Sequence, residues 1–178
     1  MKLEFVLEEK DFVDYHLFSI SENKNAKKIE RIGKYVLVGF FIYFGLNLYN
    51  SDNIELAILF GILAILSILF FNKLYKSRML KHQSKIVRNS YAKRIGEKEN
   101  IEFTSDYLIT EDKTGQGKTK LSEIECVNEV PNNFFIKLSN GSSFIVSKKG
   151  LENLDQLKNE WKALNISIIE HLDWKWNN

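Results

Sequence analysis

A glycine-rich run, Thr114-Gly115-Gln116-Gly117-Lys118-Thr119, is the segment of this chain that comes nearest to a chemical motif. A phosphate-binding loop needs Gly-x-x-x-x-Gly-Lys-Ser/Thr between a strand and a helix, because backbone N–H groups must converge on the phosphates at a helix start. Here the first glycine position holds Asp112, and the residues after Thr119 have strand character. The stretch from Asp112 to Lys118 is therefore read as a polar hairpin turn. Three histidines, His16, His82 and His171, fall in three segments without the i, i+4 spacing that sets two imidazoles on one helix face. The carboxylate pairs Glu8-Glu9 and Glu111-Asp112 read as solvated strand ends and turns, and no serine sits in a nucleophile-elbow context. The one cysteine, Cys126, excludes an intramolecular disulfide and reads as a small buried strand residue. No catalytic residue, metal or cofactor is expected, and the chain is not read as an enzyme.

The elements that would position any site are dominated by two apolar runs, Tyr35 to Tyr49 and Leu56 to Phe71. With their flanks they span Ile32 to Tyr49 and Ile54 to Phe71, and a helix needs roughly 17–25 residues to cross a bilayer. The link between them carries Asp52 and Glu55 but neither Lys nor Arg. Lys27, Lys28, Arg31 and Lys34 precede the first run, and Lys73, Lys76, Arg78 and Lys81 come after the second. Basic residues near span ends stay on the cytoplasmic side, so both termini are expected there. Gly33, Gly39, Gly45 and Gly61 permit close helix approach, and Asn47 is the strongly polar residue inside a run. No signal peptide is expected ahead of these runs.

Net charge is only +2, yet residues 72–96 hold eight basic side chains and no acid. This segment is read as a basic helix leaving the membrane and ending at Gly96, with Lys73, Lys76, Arg78, Lys81, Lys85 and Arg88 as membrane-surface residues facing anionic headgroups. Positive charge concentrated there does not suit a nucleic-acid interface.

Before the spans, Leu3, Phe5 and Leu7 alternate as in a short strand, and Phe12, Tyr15 and Ser19 share a helix face behind Asp11 as N-cap. After Gly96 the period switches to two. Phe134 to Leu138 pairs with Ser143 to Ser147 across Asn140-Gly141, a strong hairpin signal. Leu151, Leu154, Leu157, Trp161 and Leu164 then trace a closing helix, and Trp174 and Trp176 lie in the tail. The fold class expected is a membrane α-helical hairpin of two spans plus a small cytoplasmic α+β domain, an antiparallel pleckstrin-homology-like (PH-like) sheet or half-barrel with a C-terminal helix. Its boundaries are a cytoplasmic N-terminal segment at 1–31, the hairpin at 32–71, the basic exit helix at 72–96 and the β domain at 97–178.

The polar Glu8-Glu9-Lys10-Asp11-Phe12 start, the short-looped double span, the basic exit helix and the Phe134-Phe135-Ile136 … Phe144-Ile145-Val146-Ser147-Lys148-Lys149 hairpin before a helix together resemble the YcxB-like family of bacterial membrane proteins. Leu121 and Val146-Ser147-Lys148-Lys149 depart from that family's aromatic and Ile-Pro-Lys-Arg patterns. The resemblance implies this architecture and a bacterial inner-membrane home, and it supplies no active site.

The expected function is a non-enzymatic, membrane-anchored binding or regulatory module whose β domain recognises a protein or lipid partner. Phe135, Lys137, Lys148 and Lys149 form the candidate partner surface, against the plainer reading of that hairpin as core and turn. The alternatives are a membrane immunity protein against a toxin or bacteriocin, and an oligomeric membrane effector. Expected partners are anionic membrane lipids and a protein, with self-association as a further option.

Overall fold

A computed structural model describes residues 2–113 and 115–176 in two compact units. One comprises the chain up to His16 together with Gln83–Lys175; the other comprises Leu17–His82 and Trp176.

The first unit begins with strand β1 (Lys2–Val6), whose alternation buries Leu3 and Phe5. Helix α1 (Glu9–Glu22) comes next. Asp11 does not cap it as the preceding residue; it sits one turn in, where its carboxylate accepts from the Glu8 N–H at 2.8 Å while Asp11 N–H donates to Glu8 O at 3.0 Å. The bond from the Glu8 N–H to the Asp11 carboxylate is one half of a capping box, so Glu8 rather than Asp11 marks the helix start. The buried face of α1 carries Phe12, Val13, Leu17 and Phe18, while Ser19 is exposed.

Helix α2 (Lys24–Asn50) is capped by Asn23, whose Oδ1 accepts from the N–H groups of Asn25 and Ala26. Ser51 to Asn53 turn the chain, with Asp52 in the left-handed region at φ 58, and helix α3 (Ile54–Ser90) returns. At 1.5 Å per residue, α3 is about 55 Å long, nearly twice the hydrocarbon thickness of a bilayer. The two helices pack antiparallel: a methyl at Gly45 would touch Phe60 and Ala57, and one at Gly33 would touch Phe71. Both helices are long and apolar enough to cross a membrane. α3 ends at Ser90, not at Gly96. Tyr91 to Ile95 form turns, and Gly96 (φ +82) donates its N–H to Leu7 O, tying this corner to the segment after β1.

Strands β2 (Lys98–Phe103), β3 (Tyr107–Asp112) and β4 (Gly115–Lys120) complete a four-stranded antiparallel sheet in the order β1-β2-β3-β4. β1 is thus an edge strand of this sheet, with Leu3 opposite Ile101, rather than part of a separate N-terminal segment. The boundary at 31 does not match the folded unit, because pairing across some 90 residues of intervening chain leaves no local trace. Much of the predicted turn from Asp112 to Lys118 is strand instead: Gly115 to Lys118 pair with β3, Gly115 opposite Asp112. Thr114 lies outside the described residues.

After a short 3₁₀ turn (Leu121–Glu123), strands β5 (Ile124–Glu129), β6 (Asn133–Leu138) and β7 (Ser143–Ser147) form a second antiparallel set, bulged between Ile124 and Cys126. Gly141 takes φ +85 in the β6–β7 loop, the conformation that an Asn-Gly pair favours. Helix α4 (Leu154–Ala163) is capped by Asn153 through Gln156 N–H at 3.0 Å. Strand β8 (Ile168–Glu170), within the expected tail, pairs parallel to β5 and makes the second sheet mixed, in the order β7-β6-β5-β8. Trp161 on α4 is wholly buried against Phe134 (4.9 Å between ring centres) and Phe103 (5.9 Å), one ring from each sheet.

Candidate functional site

The residues singled out for chemistry do not converge. Gly115 to Thr119 are strand, their N–H groups committed to the ladder with β3 or to its open edge. Among the described residues no three His, Cys, Asp or Glu side chains gather as a metal-ligand set. Cys126 is buried, and burial first, then the Glu125 charge, pushes its thiol above the ordinary range.

The candidate partner surface divides. Phe135 is 1% exposed and packs edge-on against Tyr15 of α1 at 5.4 Å, which removes it from any surface. Strand β6 is covered on both sides: Phe134 faces Trp161 of α4, and Phe135 faces α1. That two-sided cover explains a nearly continuous apolar run in place of alternation. Lys148 is also drawn inward. Its Nζ lies 2.8 Å from Glu129 Oε1 and 4.7 Å from the Phe134 ring centre. Lys137 and Lys149 remain at the surface, paired with Glu125 (2.8 Å) and Glu8 respectively.

The inward turn of Lys148 exposes a feature that the sequence does not announce. Glu129, 3% exposed, is held by Lys148 and by Lys158 of α4 at 2.6 Å, and Lys158 also reaches Glu170 of β8 at 3.5 Å. Burial alone would raise the Glu129 carboxyl, but the hydrogen bonds and charges of the two lysines outweigh it and hold the group below its usual range. Nineteen and 29 residues separate Glu129 from its partners in sequence, so no local pattern signals the cluster. A cleft of ≈ 380 Å³ beside it is lined by Glu8, Lys10, Asp11, Asn132, Lys148 and Lys149 among others. Its charges largely neutralise one another.

The six residues expected at a membrane surface lie along the last half of α3, and all but the half-buried Lys76 are exposed. Arg88 is engaged by Glu9 of α1 at 2.8 Å. The antiparallel contact of Gly33 with Phe71 brings the basic ends of α2 and α3 to the same level. Lys27, Lys28, Arg31 and Lys34 lie within about 9 Å of axial rise from Gly33, and Lys73, Lys76 and Arg78 within about 11 Å from Phe71. Tyr75 stacks on Phe71 at this level, with ring centres 6.0 Å apart. Trp176 closes the group, its indole N–H donating to Lys76 O at 2.9 Å.

No curated protein and no solved structure matches the chain. A family model described as YcxB-like protein matches residues 103–160, from the end of β2 through most of α4. The β5–β6–β7 meander, most of its closing helix and the Glu129 cluster's Lys148 and Lys158 fall inside that match, so this chain carries a YcxB-like region within its folded β unit.

Proposed function

We propose that the chain is a membrane-anchored, non-enzymatic binding or regulatory module: the α2–α3 hairpin crosses a bacterial inner membrane twice, and a PH-like β domain stands on the cytoplasmic side. The observation that carries this reading is the split β unit. Its first strand lies before the apolar hairpin and pairs with β2 after it, Lys2 opposite Glu102, so the hairpin is an insertion within one folded domain. A domain built around such an insertion stays tethered to whatever the hairpin occupies. The cytoplasmic assignment rests on the basic flanks of both helices and the link without Lys or Arg. Two antiparallel meanders and a closing helix support the PH-like reading.

Two measurements test it. The full chain is expected to resist carbonate extraction from bacterial membranes, and release into the soluble fraction would defeat the anchor. Affinity capture in mild detergent, with quantitative mass spectrometry of proteins and lipids, then examines the module itself. One stoichiometric protein or an enriched lipid class supports it; recovery of the chain with neither overturns it.

A further inference from the structure

We propose that the basic collar at the shared end of α2 and α3 is a binding site for anionic phospholipid headgroups, with Lys28, Arg31, Lys73 and Lys76 as its charged contacts and Trp176 as its interfacial anchor. The inference rests on the membrane-anchor reading and deepens it by naming the partner.

Three observations converge. The contact of Gly33 with Phe71 places two basic clusters, far apart in sequence, around the same end of one helix pair. The charge there is nearly one-sided: α2 contributes Glu30 between Lys27 and Lys34, and α3 from Asn72 to Ser90 contributes no acid. Independently, the chain returns 100 residues later to seat Trp176 on the backbone of Lys76, with Tyr75 beside it. Indole and phenol rings favour the headgroup level, where an apolar body and a polar edge are both satisfied. Cationic side chains at that level meet the phosphodiesters of anionic lipids, whose charge they complement. Lys and Arg stems also extend along apolar surface, so the collar delivers charge at the headgroups without withdrawing the helices.

The full chain reconstituted in phosphatidylcholine vesicles, probed with spin-labelled phosphatidylglycerol or phosphatidylcholine, tests the site. The motionally restricted population is expected to favour phosphatidylglycerol about threefold. About 0.5 M salt, where the Debye length falls to a few ångströms, should reduce that preference toward parity. Combined Lys28→Gln, Arg31→Gln, Lys73→Gln and Lys76→Gln substitution should do the same, while Lys113→Gln, Lys118→Gln and Lys120→Gln on the β unit leave it unchanged. Parity in the unsubstituted chain, or a preference that survives the collar substitutions, overturns the proposal. Carbonate extraction of the unsubstituted chain would instead defeat the anchor, which separates the two failures.

Discussion

Glu129 shows how a charge is kept inside this fold. Removing one member of a buried ion cluster leaves the others unpaired, at a cost of about 3–5 kcal/mol. Lys148 and Lys158 retain 11% and 19% exposure, so Glu129→Gln should cost the lower end, about 3 kcal/mol. Chemical denaturation of the detergent-solubilised chain, monitored by tryptophan emission, measures it. The pH dependence comes from the depressed carboxyl. Glu129 contributes stability above its unfolded value near 4.5 and loses it as pH falls through the lower folded value. His16 acts in an earlier window. Its Nε2 is buried without a partner between Tyr15 and Tyr91, and burial lowers its pKa. A lowered histidine favours the fold above the unfolded value of 6.5 and disfavours it as pH falls below. His16→Phe should therefore flatten the first part of the acid limb in a Tm-against-pH series and leave the Glu129 part in place. An unchanged profile would show that His16 does not titrate in the fold.

At the scale of elements, α4 acts through Trp161, which spans both sheets. Trp161→Ala should cost about 3–5 kcal/mol. Trp161→Phe keeps an aromatic between Phe103 and Phe134 and removes an indole N–H that has no partner, so it should cost far less. Thermal unfolding of the two variants side by side checks the ordering. In β4 the constraint is steric. A methyl on Gly117 would lie 2.7 Å from Thr110 Oγ1 on β3. Gly117→Ala should cost about 1–2 kcal/mol as overpacking, and Thr110→Ala in the same chain should recover most of it. If the double variant is no more stable than Gly117→Ala alone, this contact does not set the cost. Gly117 of the run that resembles a phosphate loop thus has a packing explanation within the sheet, while Gly115 takes φ +153 with open space around it.

For the whole molecule, the arrangement to test is a β unit interrupted by a membrane hairpin. On intact spheroplasts a membrane-impermeant maleimide should label Ser51→Cys, in the α2–α3 turn, and should reach Ser105→Cys, between β2 and β3, only after permeabilisation. The opposite pattern would invert the topology; buried Cys126 supplies little background. Much of this layout was legible in the chain. The apolar helices are declared by composition over 18 residues, the β6–β7 hairpin by a period of two on either side of Asn-Gly, and α4 by a period of 3.6. These signals are local, because a helix or a hairpin satisfies its backbone and declares its buried face within a few turns. Tertiary structure alone decided what joins across distance: β1 with β2 around the hairpin, β8 alongside β5, Glu129 between Lys148 and Lys158, and Trp176 on Lys76. It also decided between the two readings of the hairpin, burying Phe135 and turning Lys148 inward onto Glu129. A strand edge or a buried charge is satisfied by whichever partner the fold delivers, and sequence spacing carries no record of that partner.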